Sequence, residues 1–565
     1  MSVVTTNPGQ HEGPIRPGLL GLISEPADTT FALPSQARWL ITFFLVLGAA
    51  LRLVRYAQNL PLWSDECFLA ANFIGRDYLG LVKPLENGQI APILFLWIER
   101  FVLDLLGFSE WSLRLFPLLC GLASLVLFWH LARQVLAGQP VALALAVGIM
   151  AVSVHPIRHA ADAKPYASDL LTALMLLTPA VHWLRRPGQL GWLWLLTGLV
   201  PIALGLSNPA VFVAGGIGLA IVGQVRRLAS WKCWLAFASY GLVMTAAFGL
   251  LFSLVGQPQS PQVLEGLRTY WAPAFPPFSS VWKLAAWLVS MHTGSAFAYP
   301  GGGARGGSSA TFLACVVGAA VLARRGHGSV LACLLWPFAL AFIAAGLRLY
   351  PYGSEARLMQ YAAPSICLLC GLGAVTTLEC LGNLRLRRNL LRLAVLGLVV
   401  CGIVPQVVSS RFPYRMVYDH QSREFARRFW VGQSSGADLN CAHLDYGVGM
   451  GQKWVGRKAW YLCNQMIYSP HRTGSARPSP RKPSLQRPLR CVLFDEPFES
   501  PAVKEWLEAM QSHLALNSRT VYQVPVTVGE GRPDIDRWEV LEFVARGNEP
   551  APDLVRRGEN ARLRR

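Results

Sequence analysis

The stretch WLITFFLVLGAALRLVRY, Trp39 to Tyr56, followed a few residues later by Leu62-Trp63-Ser64-Asp65-Glu66-Cys67, decides the fold of this chain. The apolar run is close to the ~20 residues a helix needs to cross a bilayer. Two adjacent carboxylates follow it. A charge at bilayer depth costs roughly 2.5–3.5 kcal/mol on the mildest scale, so the pair belongs at a membrane face, where it is solvated or used. The chain is polar through Ala37 and shows no cleavable signal pattern, so the run reads as a retained first span behind a cytoplasmic tail over 1–37.

Composition agrees. Of 565 residues, 53% are hydrophobic and 15% charged, against about 25% charged in soluble proteins. The 19 Trp suit a membrane–water interface. The net charge of +19 resides in clusters of Lys and Arg between apolar runs, which favours a membrane over a nucleic acid as the partner. No zinc-finger, RNP or helix-turn-helix pattern is present. Cys120, Cys233, Cys315 and Cys401 lie inside apolar runs as small hydrophobes. Cys367 and Cys370 have metal or redox spacing, but Ile366, Leu368 and Leu369 around them make an apolar helix face the better reading.

About eleven apolar runs approach spanning length: 39–56, 112–130, 140–154, 167–184, 190–206, 209–222, 233–255, 309–322, 330–347, 358–378 and 390–408. Every even-numbered run is followed by basic residues: Arg133; Arg185 and Arg186; Arg226, Arg227 and Lys232; Arg324 and Arg325; Arg385, Arg387 and Arg388. Cytoplasmic loops carry such an excess, which puts the N-terminus inside. Arg52 and Arg55, at the far end of the first run, go against the rule. The segment 91–107 is apolar but holds Glu99, Arg100 and Asp104, and reads as an interfacial helix with Arg100 and Asp104 on one face. The expected fold is a polytopic α-helical membrane protein over 38–409, with a small extracytoplasmic α/β domain over 410–565.

Three polar clusters interrupt the apolar chain, and the alternation puts all three on the external face. They are Asp65-Glu66; His155-Pro-Ile-Arg158-His159-Ala-Ala-Asp162-Ala-Lys164-Pro165-Tyr166; and Arg348-Leu-Tyr350-Pro-Tyr352-Gly-Ser-Glu355-Ala-Arg357. Taken singly, each reads as a solvated turn or an interfacial anchor. Their convergence points to chemistry, and the chemistry that needs this set is displacement at a sugar carbon of a lipid-phosphate donor. A carboxylate takes the proton of an attacking hydroxyl. The departing phosphate needs cations, for which Arg offers a planar fork.

These residues resemble a family. Leu62-Trp63-Ser64-Asp65-Glu66 is similar to the acidic motif in the first external loop of GT-C glycosyltransferases, above all glycosyltransferase family 39 and its bacterial relatives: protein O-mannosyltransferases, aminoarabinose transferases and Rgt-type core-oligosaccharide transferases. Ala91-Pro92, Trp97, Gly107-Phe108-Ser109-Glu110 and Arg114-Leu115 resemble the family's stretch before the second span. His155-Pro156 with Asp162-Ala163-Lys164-Pro165-Tyr166 resembles its next external segment. The resemblance covers about 39–378. It implies an enzyme of the plasma (inner) membrane that takes a hexosyl- or pentosyl-type sugar from a polyprenyl-phosphate donor to a glycan, lipid or protein acceptor, without a nucleotide cofactor. In it Asp65 is the base, and Glu66 supports it or shares a divalent metal with it. Asp162, Tyr166, His155 and Tyr352 line the substrate; Lys164 and Arg357 face the donor phosphate. Aminoarabinose transferases have a Lys before the proline matching Pro92, where this chain has Ala91; Lys83 is the candidate substitute. The rival reading is a transporter or flippase of lipid-linked sugars. Such proteins place charges near the bilayer midplane and show internal repeats, and neither is visible here.

The loop over 256–308 carries Tyr270, Trp271, Phe275, Phe278 and Trp282 with a Gly-rich stretch, fitting either a cover for a lipid or sugar groove or a plain connector. Beyond 408, strand-like pieces stand at 491–494, 521–528 and 539–544, and 501–516 has helical spacing. The basic Ser/Pro/Arg segment over 471–488 reads as disordered. Cys441, Cys463 and Cys491 have room for one disulfide among them.

Overall fold

The computed structural model describes residues 34–256, 261–304, 306–413, 417–432, 438–441, 463–468, 489–494, 501–528 and 532–546. The tail before residue 34, the basic segment 471–488 and the last residues from 547 lie outside them. Helix α1 (Ser35–Ala57) leads into a first loop carrying α2 (Ser64–Ala70) and α3 (Ile93–Leu106). Then follow α4 (Ser112–Val135), α5 (Pro140–Val152), α6 (Val154–His159), α7 (Tyr166–Arg185), α8 (Gly191–Leu206), α9 (Ala210–Leu228) and α10 (Trp231–Leu251). A second long loop holds α11 (Pro261–Tyr270) and α12 (Val281–Thr293) before α13 (Ser309–Arg324), α14 (Gly328–Gly346), α15 (Ala363–Glu379) and α16 (Leu384–Arg411).

Among the described residues eight helices are long and apolar enough to cross a membrane, and α5, α8 and α13 are shorter apolar helices. Together they correspond one to one with the runs expected from hydropathy. α5 is the instructive departure. Its 13 residues reach only about 20 Å, and every residue from Ala142 to Val152 is buried. It is a core helix walled by α1, α4, α15 and α16. It stops where Ser153 turns extended, at φ −61° and ψ 129°. Close helix approach is set by small residues, as membrane packing requires. A Cβ at Gly373 on α15 would lie 1.8 Å from the Ala314 carbonyl oxygen of α13, and one at Gly318 would lie 2.1 Å from that of Leu369.

Arg52, the exception to the charge rule, is wholly buried. Its Nη1 donates to the carbonyls of Gly48 (2.9 Å) and Ala151 (3.0 Å), so it pins α1 to α5 rather than marking a cytoplasmic end.

α3 lies over the first loop as an amphipathic helix. Arg100 pairs with Asp104 at 2.6 Å and donates to the carbonyls of Phe73 and Arg76, while Phe101, Leu105 and Leu106 stay exposed. Glu99 faces inward, 1% exposed, with neither carboxylate oxygen hydrogen-bonded. Burial pushes its carboxyl well above the ordinary glutamate value. With the folded-state value raised, the stability tied to this group is full below the ordinary glutamate range and is lost as pH rises through the raised value. Glu99→Gln therefore stabilises the protein at neutral and higher pH by about 1–3 kcal/mol and flattens the pH profile of thermal unfolding. A wild-type profile already flat between about pH 4 and 8 would contradict this.

Beyond α16 come α17 (Val417–Gly432), α18 (463–468), α19 (Pro501–Gln511) and four strands: β1 (Asp438–Cys441), β2 (Leu489–Phe494), β3 (Leu514–Val528) and β4 (Arg532–Ala545). The sheet order is β1-β2-β4-β3, with β1 parallel to β2 and the other pairs antiparallel. The helix expected over 501–516 ends at Gln511, and Leu514 begins β3. Each of β3 and β4 supplies the other's ladder along its full length, so the strands outrun their apolar alternation. Phe425 and Phe429 of α17 pack on Tyr522 of β3, at 5.9 and 5.5 Å between ring centres.

The C-terminal unit is clasped to the first loop. Arg423 of α17 donates to Glu110 (2.8 Å) and to the Asn59 carbonyl (2.7 Å), and Tyr468 of α18 donates to the other Glu110 oxygen at 3.0 Å. Cys463 is buried with its thiol facing the Cys67 carbonyl and is in no disulfide. The side chains of Cys441 and Cys491 lie outside the described residues.

Candidate active site

The site forms where the first loop, the turn between α6 and α7, and the segment before α15 meet. α2 starts at Ser64 with two acids in its first turn, the favourable place for negative charge on a helix. Neighbours on a helix point about 100° apart, so Asp65 and Glu66 face different ways. Glu66 points inward, 1% exposed. It accepts from the Trp63 N–H (3.2 Å), from the Ala163 N–H (2.8 Å) and from Arg114 through Nε (3.0 Å) and Nη2 (2.7 Å). Arg114, on α4, also donates to the carbonyls of Leu60 and Pro61. This buried pair ties the start of α2 to α4 and to the turn that carries Lys164.

Asp65 points the other way, into the junction. Its Oδ1 lies 2.9 Å from Lys164 Nζ, its Oδ2 3.0 Å from Arg357 Nη1, and Tyr166 donates to Oδ2 at 3.3 Å. The Asp65 side chain is 22% exposed, against 6% for Lys164 and 13% for Arg357. Of these three charged groups the acid is the most open to a substrate. Burial raises its carboxyl value, but the charges of Lys164 and Arg357 outweigh burial and hold it below the ordinary aspartate value. Burial is also the larger influence on Lys164 and lowers its ammonium value despite Asp65. Lys164 also donates to Gln89. The Arg357 guanidinium lies over Trp63 and Trp271, 5.7 and 5.2 Å from the ring centres, with Glu355 at ion-pair distance on its outer side. Trp271 comes from the second long loop, which therefore reaches the site.

Of the remaining residues of interest, Asp162 and Tyr352 have partners of their own. Asp162 accepts from, or shares a proton with, His159 Nδ1 at 2.9 Å. His155 stacks on His159 at 6.1 Å, and His159 meets Tyr166 edge-on at 5.0 Å, so His155 stands two rings away from Asp65. Burial, then the neighbouring His159 and Arg158, push His155 down to about 3, leaving a neutral ring. Tyr352 bonds His292 at 3.0 Å inside an aromatic cluster with Trp287 and Phe342, away from the Asp65 contacts. Lys83 is exposed and pairs with no acid among the described residues. It follows a short 3₁₀ turn, Gly80–Val82.

A divalent metal held by Asp65 and Glu66 does not fit this arrangement. Both Glu66 oxygens are committed to buried donors, and Asp65 already has a cation on each oxygen. Among the described residues no three His, Cys, Asp or Glu side chains gather as a ligand set. Gln89 is invisible in the sequence, because a lone Gln in a polar loop carries no signal. Arg114 stands inside a quoted motif, but nothing in the sequence points to its partner.

No family model and no curated protein matches the chain. Several solved structures are similar in course. ArnT from Cupriavidus metallidurans bound to undecaprenyl phosphate is 13% identical, with a TM-score of 0.47 over 90% of this chain and 99% of that one. The same protein in the apo state gives 13% identity and a TM-score of 0.49 over 88% and 98%. The archaeal oligosaccharyltransferase AglB from Archaeoglobus fulgidus, in complex with an inhibitory peptide and a dolichol-phosphate, is 10% identical, with a TM-score of 0.44 over 78% of this chain and 65% of that one.

Proposed function

We propose that this protein is a glycosyltransferase that moves a hexosyl- or pentosyl-type sugar from a polyprenyl-phosphate donor to an acceptor hydroxyl, at the extracytoplasmic face of a bacterial inner membrane. The observation that carries this is the Asp65 carboxylate, partly open, between the Lys164 and Arg357 cations at the ends of membrane helices. The resemblance of the loop motifs to GT-C enzymes points the same way.

The reaction follows from the charges. The acceptor oxygen forms a bond to the anomeric carbon while the bond from that carbon to the phosphate oxygen breaks. Its electron pair leaves on the phosphate, and the hydroxyl proton goes to Asp65. Arg357 and Lys164 hold the growing phosphate charge as fixed donors in a site partly shielded from water. Phosphate leaves readily, so no general acid is needed. Tyr166 holds the Asp65 carboxylate in place, and Glu66 with Arg114 fixes α2 against Lys164. A lipid tail in the bilayer brings the donor phosphate to the level of the helix ends.

The test is transfer itself. Purified protein in liposomes is given a panel of polyprenyl-phosphate sugars and a membrane lipid extract, and free polyprenyl phosphate and the new glycoside are followed by mass spectrometry. Release of the carrier matched by acceptor glycosylation is expected. Sugar-lipid that crosses the bilayer intact, with no new glycoside, would favour the transporter reading instead.

A further inference from the structure

A general base works best with a pKa near the working pH, yet Asp65 bears a cation on each oxygen at 2.9 and 3.0 Å and a tyrosine hydroxyl besides. The two cations a donor phosphate needs are already engaged by the residue that is to act as base. Lys164 has little else to turn to, being 6% exposed with Gln89 as its other acceptor. In the free protein the acid therefore occupies both cations, with Glu355 as a second, exposed acid on Arg357.

We propose that Asp65 is an internal competitor for the phosphate subsite: the donor phosphate displaces it from Lys164 and Arg357, and this exchange turns it into a base. The inference rests on the glycosyl-transfer reading and adds to it an order of events. In the free protein Asp65 occupies the cations and is a weak base. When the phosphodiester of the donor takes over one or both cations, Asp65 loses the charges that depress it and gains a free oxygen for the acceptor hydroxyl. As the sugar–phosphate bond breaks, the phosphate goes from one negative charge toward two, while Asp65 goes from one toward none by taking the proton. The competitor is thus removed as the claim of the phosphate grows, which strengthens the phosphate contacts in the transition state more than in the ground state. Once Asp65 gives its proton to water it competes again and helps expel the product phosphate. No further reactant is needed, since the acceptor supplies the proton and the departing phosphate takes the electron pair.

Such an exchange shifts affinity in a counter-intuitive direction. Full-length protein in nanodiscs is titrated with undecaprenyl phosphate, with undecaprenol as the tail-only control and inorganic phosphate as the headgroup-only competitor. Asp65→Asn, and separately Asp65→Ala, should bind undecaprenyl phosphate about tenfold more tightly than wild type, because the buried Lys164 loses its carboxylate and Arg357 keeps only the exposed Glu355. Arg357→Ala should bind it more weakly, and undecaprenol should not distinguish any of them. Inorganic phosphate should displace the lipid at lower concentration from the Asp65 variants if the headgroup is what is recognised. The wild type offers a second measurement: the acid limb of kcat, which reports the donor-bound enzyme, should lie at higher pH than that of kcat/KM for the donor, which reports the free enzyme. Equal or weaker binding by both Asp65 variants, with Arg357→Ala weakened and the two acid limbs coincident, overturns the exchange but leaves Asp65 as base. Wild-type protein that prefers undecaprenyl phosphate no more than undecaprenol overturns the donor reading, and the exchange with it.

Discussion

Asp65→Asn should lower turnover by about 10²–10⁴-fold, the usual value of a positioned general base. The substitution keeps the shape but removes both the ability to take a proton and the negative charge between Lys164 and Arg357. Its amide oxygen accepts from one of Lys164 and Arg357, while its NH₂ faces the other cation, so the three-way contact at 2.9 and 3.0 Å cannot persist unchanged. Separating chemistry from binding therefore needs single-turnover assays at saturating donor, where tighter or weaker donor affinity no longer enters. Asp65→Glu retains the acid but places it about one methylene further out, and should recover part of the rate only if proton acceptance is the role. Full transfer by Asp65→Asn at saturating donor would remove the residue from the base position. Thermal unfolding of the variant checks that the loop is intact; the exposure of Asp65, 22%, makes a modest stability change the expectation.

What is legible in the sequence and what is not divide along physical lines. Helices in a membrane announce themselves by continuous apolar length, and the run 167–184 matches α7 (Tyr166–Arg185) almost to the residue. The charge alternation then sorts the loops by face without any knowledge of packing. That sorting is why Asp65, Lys164 and Arg357, spread over almost three hundred residues, are expected together, and they are in contact. Partner choice is not legible. Asp65 and Glu66 look like one acidic pair on paper, and only the helical turn of α2 and the position of Arg114 on α4 separate an open acid from a buried one. Asp162 and Tyr352 group with the site by their nearness to its residues in sequence, but each is taken up by a histidine, His159 and His292. Strand ends in the C-terminal sheet depend on the length of the pairing partner, which local alternation does not reveal.

Arg114→Ala should destabilise the protein by about 3–5 kcal/mol, the cost of leaving a buried charge without its partner. The pair is 4% and 1% exposed, so solvent does not screen it. Three elements lose their common anchor at once: the Glu66 carboxylate keeps only the N–H groups of Trp63 and Ala163, and the carbonyls of Leu60 and Pro61 lose their donor. Arg114→Lys should fall between wild type and Arg114→Ala, since a single ammonium cannot span both Glu66 oxygens and the two carbonyls as a guanidinium fork does. Glu66→Gln should cost less than Arg114→Ala, because the amide oxygen still accepts from one donor. Combined with Arg114→Ala it should add little, because the partner whose burial was uncompensated is then neutral. The measurement is thermal unfolding in detergent followed by tryptophan fluorescence, completed as a double-mutant cycle. Activity should fall in step, for α2 carries Asp65 and the Ala163 amide precedes Lys164, so a loosened pair moves the acid and its cation independently. Additive effects of the two substitutions on stability would show that Glu66 and Arg114 are not coupled, and that something else holds Asp65 at 2.9 Å from Lys164.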